Sequence, residues 1–422
     1  MQNNNKPVAI VLGGTVPHCE LIKQLQERGY YVILVDYLSD SPGKYVADEH
    51  IQESTMDKDK VLQIAQDRNV SLVICGCVDQ ANITACYVME QIGKKPPYSY
   101  DTALRITNKG DMKRTMFENG IPTSRYEYLD SCSIPKDLNL RYPIMVKPAD
   151  NNSSNGVKKA NNEEELIDYL DNALKISRNH KAIIEEYVEG QEISAYCFVK
   201  DRKAKLLMTA ERMSLQDGDD KVIKCYSSVA PARISIEMEQ EAERIATMIA
   251  QAYNLDNTAL FFQGIVNGGR IDVIEFAPRS GGGSSFKTIK NNTGFDIIST
   301  IIDSWLGKEV NLESWHKPTY IYVVNSVYGK DGFYKKVTGD AELLKEGVIE
   351  DMLHIRAEGD KLDNSRASSS RVCFFLVKAR DEKEMLEKIK TAYSRLDVLD
   401  VNGHSIIRRE LSLSERWGKG SI

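Results

Sequence analysis

The first hundred residues predict an α/β chain that opens with a doubly wound parallel sheet, and three observations carry that prediction. Short apolar runs at Val8–Leu12, Tyr31–Val35 and Ser71–Cys75 alternate with amphipathic stretches at Glu20–Arg28 and Asp57–Arg68. Strand and helix periodicities in alternation put the strands in one parallel sheet with crossover helices on its faces. Turn residues punctuate the joins: Gly13-Gly14 after the first run, Gly29 after the first helix, and KKPPYS (94–99) at the end of the unit.

Beyond residue 105 the pattern changes to mixed strands and helices with Gly-rich turns. A third region starts near the strand-like Thr319–Val327 and contains the helix Glu382–Leu396, whose apolar stripe (Met385, Leu386, Ile389, Ala392, Tyr393, Leu396) reads as core. The segment Asp360–Arg371 is the most loop-like stretch of that region. The expected units are 1–104, 105–315 with a lid subdomain at about 115–185, and 316–422. Three units suit 422 residues at roughly 150 residues per domain.

With 42% hydrophobic and 27% charged residues and a net charge of −6, the chain has ordinary globular composition. Its Lys and Arg are scattered, so neither a nucleic-acid nor a membrane surface is expected. No apolar run approaches the roughly 18 residues of a membrane span. The start MQNNNKP lacks a basic stretch followed by an apolar one, so a cytoplasmic location is expected. None of the eight Cys forms a CxxC unit, and Cys75-Gly-Cys77 lies in an apolar run, so buried reduced thiols are expected.

Gly13-Gly14 sits where a strand-to-helix turn can aim backbone N–H groups at an anion. The sequence GGTVPH is not the GxGxxG of dinucleotide-binding folds, although Asp36 imitates their ribose-binding acid. A structural tight turn, a contact to a second substrate and NAD binding all stay open.

The central region carries more chemistry. Lys147 ends the buried-looking strand Tyr142–Asp150, and its charge needs a partner unless it snorkels to the surface. The small polar loop Asn151–Val157 follows directly and can wrap phosphates with N–H and hydroxyl groups. Further on, the backbone near Glu186–Val188 can offer an N–H and a C=O to a planar base, and Glu192 can accept ribose hydroxyls. Both acids could equally be solvated. Asn267-Gly268-Gly269 marks a hairpin. With a loop at Gly268–Arg270, Asn267 pairs with Ile271 and Gln263 falls opposite Glu275, two oxygen-bearing side chains suited to Mg²⁺. Alternation places Asp272 on the face opposite Glu275. Arg279 is placed to neutralise a phosphoryl group or a carboxylate. Arg212 and Arg233 are candidates for a substrate carboxylate or for plain surface positions, and SGGGSS (280–285) for backbone donors near an acyl group.

In this order the pieces resemble the ATP-grasp superfamily, over roughly residues 1–412. The resemblance implies an ATP-grasp fold preceded by a doubly wound parallel-sheet domain and followed by a smaller α+β domain. It implies ATP and Mg²⁺ as cofactors, small-molecule carboxylate and amine partners, and a possible homodimer. By resemblance, Lys109 and Lys147 are the nucleotide lysines, while Ser153, Ser154 and Gly156 belong to the phosphate loop. Glu185, Glu186 and Val188 form the adenine hinge, Glu192 holds the ribose, Gln263 and Glu275 hold the metal, and Arg279 steadies the reaction. The family often reads Glu-x-Asn at the metal strand, where this chain has Glu275-Phe276-Ala277, and Ala277 cannot ligate. The implied activity is ATP-dependent carboxylate–amine ligation through an acyl phosphate, of an amino acid with an amine or a second amino acid. A purine-pathway-type carboxylase or formyl transferase, and an ATP-binding protein without turnover, are the alternatives.

Overall fold

The computed structural model describes residues 6–135, 138–150, 156–218 and 222–417. The N-terminal unit is a parallel sheet in the order Glu49–Ile51, Tyr31–Val35, Val8–Leu12, Leu72–Ile74. Glu49–Ile51 is absent from the sequence reading because three half-buried residues carry no usable alternation. The first helix, Val16–Glu27, begins a turn earlier than expected. Pro17 lies in its first turn, where a missing N–H is harmless.

The Gly13-Gly14 turn faces inward. Gly14 N–H donates to Asp36 Oδ2 at 2.6 Å, and a Cβ on Gly14 would lie 2.1 Å from Ser41 Oγ. Asp36 is buried. Because Asp36 holds both the turn's N–H and that of Leu38, the structure corrects the dinucleotide reading: the turn is structural, as the backbone at Gly14 has no room and no free donor for a pyrophosphate.

A four-stranded antiparallel sheet comes next, ordered Tyr126–Leu129, Ala182–Glu186, Ile144–Pro148, Lys158–Ala160. Helix Glu163–Ile176 covers it with Leu166, Leu170, Ala173 and Leu174 buried, and Asn162 caps the helix by accepting from Glu165 N–H.

The largest sheet has eight strands, ordered Arg270–Ala277, Thr258–Asn267, Gln191–Lys200, Lys203–Asp217, Val222–Ala230, Ile321–Tyr328, Arg371–Ala379 and Asp351–His354. Strands from both sides of residue 316 share it. Helix Glu382–Arg395 packs Met385, Ile389, Ala392 and Tyr393 into the C-terminal core. The loop expected at Asp360–Arg371 holds a short strand, Lys361–Leu362, and a helical turn, Ala367–Ser370. Its polar composition serves a network instead: Asn364 accepts from Lys224 Nζ (2.6 Å) and donates to Gly329 and Asp331.

Two bulges shape what the large sheet presents. The hairpin turn is the two residues Gly268-Gly269, both at positive φ, with Asn267 opposite Arg270 rather than Ile271. The register then slips, pairing Gly264 with Val273 and Gln263 with Glu275. Gln263 therefore opposes Glu275 as expected, but the extra residue sits at Ile274 and not in the loop. A bulge breaks strict alternation, so Asp272, expected on the far face, lines the same cavity as Glu275.

Candidate functional site

A cavity of about 650 Å³ opens between the four-stranded sheet and the eight-stranded one. Lys109, Lys147, Glu185, Glu186, Val188, Glu192, Gln263, Glu275 and Arg279 all line it. Gly156 does not; its left-handed backbone (φ +78°) packs against Pro148 and Ile176. Ser153 and Ser154 lie outside the described residues.

Charge is densest on one wall. Glu185, on strand Ala182–Glu186, is 4% exposed. It accepts from Lys147, from Lys113 (2.6 Å) and from Ser124 Oγ (2.9 Å). The alternation of Ile144–Pro148 explains Lys147: Ile144, Val146 and Pro148 are buried in the small sheet, which turns Lys147 to the opposite side and into the cavity. Burial pushes both the Lys113 and the Lys147 ammonium down to about 7. Asp272 and Glu275 pull Lys113 the other way, and the Lys113 charge further depresses Lys147.

Lys113 and Asp79 are two of the cavity residues that sequence reading missed. Lys113 follows Lys109 by one helical turn on helix Lys109–Glu118, so the i, i+4 spacing was the available signal. Asp79 begins helix Asp79–Gln91 of the first unit and holds Arg279 bidentately, at 2.5 and 2.9 Å. Nothing local in the sequence ties residues 200 positions apart.

On the adjoining wall, with the Gln263 amide oriented by its neighbours, its nitrogen donates to Glu275 Oε1 (3.1 Å) and its oxygen accepts from Arg212 (3.2 Å). Arg212 also donates to Glu192 Oε1 at 2.7 Å. Arg233 is tied to Glu211 at 2.8 and 2.9 Å and does not line the cavity, so its candidacy for a substrate carboxylate is withdrawn. Ala277 is buried and absent from the lining. At the hinge, Glu186 N–H and Tyr187 N–H donate to the carbonyls of Arg125 and Pro143. Among the described residues no acceptor takes Val188 N–H.

The floor of the cavity belongs to the first unit. Cys77 lines it, and Gly76 carbonyl accepts from Ser280 N–H (3.1 Å) and Ser280 Oγ (3.0 Å). Thr15 N–H donates to His18 Nδ1, which directs Nε2 at Cys75 (3.4 Å) and Cys77 (3.1 Å). Cys75, Cys77, Cys86, Cys197 and Cys373 are buried free thiols, as expected, whereas Cys19 and Cys225 are half-buried and Cys132 is exposed.

A cavity with buried lysines on one wall, oxygen ligands on the next and a clamped arginine suits a metal-bound polyphosphate. Residues 140–288 match the family model described as an ATP-grasp domain. The chain contains an ATP-grasp domain.

Among its relatives, the formate-dependent phosphoribosylglycinamide formyltransferase of Ignicoccus hospitalis is 26% identical over 284 residues, covering 64% of this chain and 69% of that protein. The N-terminal section of the carbamoyl phosphate synthase large chain of Methanopyrus kandleri is 24% identical over 241 residues, and the chain spans only 42% of its length. The structure resembles the L-amino acid ligase of Bacillus licheniformis with a TM-score of 0.79 at 17% identity, covering 94% and 100% of the two chains. The Hydrogenobacter thermophilus 2-oxoglutarate carboxylase biotin carboxylase domain, solved with MgADP, gives a TM-score of 0.74 at 16% identity over 98% and 94%. These structural likenesses show the fold. No helix among the described residues is long and apolar enough to cross a membrane.

Proposed function

We propose that the ATP-grasp cavity joins an amino acid to an amine or a second amino acid, through an acyl phosphate, with release of ADP and phosphate. The observation that supports it is the convergence of Lys113, Lys147, Gln263, Glu275 and Arg279 on one cavity. The carboxylate oxygen of the donor attacks the γ-phosphorus of ATP and ADP leaves. The amine nitrogen then attacks the acyl carbon, phosphate leaves, and nitrogen loses a proton.

Attack by one anion on another is opposed by repulsion. Lys109, Lys113 and Lys147 offset it on the nucleotide side, and Arg279 on the donor side. Asp79 fixes the Arg279 guanidinium before substrate arrives, which limits reorganisation. Glu185 stands in for the nucleotide's negative charge until phosphates take the lysines over. Val188 N–H and its neighbours suit the adenine edge, and Glu192 the ribose once Arg212 releases it. The oxygen donors Gln263, Glu275 and Asp272 fit Mg²⁺, which supplies charge neutralisation at the phosphates when bound. Asp272, brought round by the bulge, offers the further carboxylate that Ala277 cannot. The Ser153–Ser154–Gly156 loop is proposed as part of the cover that excludes water.

ADP release with Mg-ATP across a panel of amino acids and amines tests this, with release stimulated by at least one carboxylate–amine pair as the expected result. Tight ATP binding with no stimulated release from any pair overturns it. The Ignicoccus relative favours a second reading, transfer of a formyl or carboxyl group to a purine precursor. Release that needs formate or bicarbonate, and no amino acid, selects that reading.

A further inference from the structure

We infer that Arg371 anchors a carboxylate of the acceptor that takes no part in the reaction, which makes the acceptor an amino acid or short peptide and not a simple amine. The inference rests on the ligase reading and names the chemistry of its second substrate.

Arg371 is a cavity residue because of a bulge. Strand Ile321–Tyr328 pairs Ser326 with Phe374 and Val327 with Cys373, then Tyr328 with Arg371, so Val372 is skipped. Val372 and Cys373 are fully buried in the C-terminal core. In regular alternation Arg371 would fall on the face opposite Phe374; the extra residue brings it round, and both line the cavity. The guanidinium lies 5.1 Å from the Phe374 ring centre and 5.7 Å from that of Tyr328. These rings hold a planar cation without neutralising it.

Its charge is available. The other two arginines of the cavity are tied to acids, Arg212 to Glu192 and Arg279 to Asp79. Among the described residues no carboxylate lies within ion-pair distance of Arg371, and its buried Nε has no hydrogen-bond partner. A buried donor left unmatched is unfavourable, and the open direction is the cavity.

The surroundings select the anion. Ser326, Ala367 and Phe374, on the strand pair and the helical turn that carry Arg371, line the cavity with it and bring no second cation. Arg356 nearby does not line it and donates to the carbonyls of Arg371 and Ser368. One guanidinium fork with hydroxyl neighbours matches the single charge and two oxygens of a carboxylate. A phosphate dianion calls for more cations, as on the lysine wall. The donor carboxylate belongs beside Arg279, so the anion at Arg371 is a spectator on the acceptor.

The test compares L-amino acids and dipeptides with their carboxamides as acceptors, in ADP release by the full chain with Mg-ATP. Arg371→Met keeps the contacts to both rings and removes the charge. It should raise KM for the free acids by about tenfold to a hundredfold, and leave the carboxamides and ATP affinity within about twofold. Arg371→Lys should recover part of the loss, since it keeps the charge but not the fork; if Arg371→Met does not fold, Arg371→Lys alone must still weaken acids more than amides. Equal losses for acid and amide, or no loss for either, overturn the anchor while the ligase reading stands. If no acceptor stimulates ADP release in the unaltered protein, the ligase reading falls and takes the anchor with it.

Discussion

On the wall formed by helix Lys109–Glu118 and strand Ile144–Pro148, two ammonium groups crowd one buried carboxylate, Glu185. On the wall formed by strand Arg371–Ala379, one guanidinium stands among hydroxyls and rings with no acid beside it. Both walls face the same cavity, and the contrast teaches how each copes without ligand. Two like charges taken out of water are held down by a placeholder anion. A single guanidinium, weakly hydrated and stacked on rings, stands without one. The lysine wall is thus built to exchange one anion for another, and the arginine wall to accept one.

The sharpest way to break this contrast is at the metal strand between the walls. Glu275→Gln keeps the size of the side chain and removes a charge that Mg²⁺ requires. Turnover should fall by at least about 10³-fold, several kcal/mol of lost transition-state stabilisation, while far-UV circular dichroism and melting stay unchanged. Activity near that of the unaltered protein would remove Glu275 from the metal site.

Glu185→Ala addresses the placeholder itself. It leaves two buried ammonium groups facing each other and should cost about 3–5 kcal/mol in chemical denaturation. Lysines whose folded pKa lies below the unfolded value disfavour folding while they are charged. Removing the acid lowers the lysines' folded pKa further, so the loss should be largest at acid pH, shrink as pH rises toward 7, and stay level above it, where the lysines of the unaltered protein have also given up their protons. Saturating Mg-ATP should restore much of it by supplying the missing charge. A loss that is independent of pH and of nucleotide would make Glu185 a packing residue and not a stand-in for phosphate.

Removing one ammonium is milder. Lys147→Ala should weaken ATP binding by about tenfold to a hundredfold, the range of a charge-assisted hydrogen bond, with Lys113→Met close to it. Unchanged nucleotide affinity by calorimetry would take Lys147 out of the site.

Legibility in the sequence divides along the same line. Strands Val8–Leu12 and Tyr31–Val35 and helix Glu382–Arg395 were readable because apolar periodicity alone fixes them. Lys147 was readable because a charge ending an apolar run demands a partner. Asp272 and Arg371 were not, since each reaches the cavity through a bulge that reverses the alternation rule. Asp79 was not, because its contact to Arg279 joins residues 200 positions apart. The turn Gly13-Gly14 suggested an anion site only until Asp36 was seen to hold its N–H.

The smallest expected effect distinguishes exchange from simple attraction. In the free cleft Lys113 and Lys147 titrate near 7. Phosphates favour their charged forms, so the same groups titrate higher in the complex. Below pH 7 both states hold the protons and affinity is flat. Above pH 7 binding must take protons up, so affinity declines with rising pH by at most tenfold per unit per lysine, and the decline ends once the bound-state values are passed. Calorimetry at pH 8 in buffers of different ionisation enthalpy should show net proton uptake on binding Mg-ATP, reduced in Lys113→Met. No uptake would mean the lysines already carry full charge in the free protein, with Glu185 neutralising them throughout and no exchange of anions to perform.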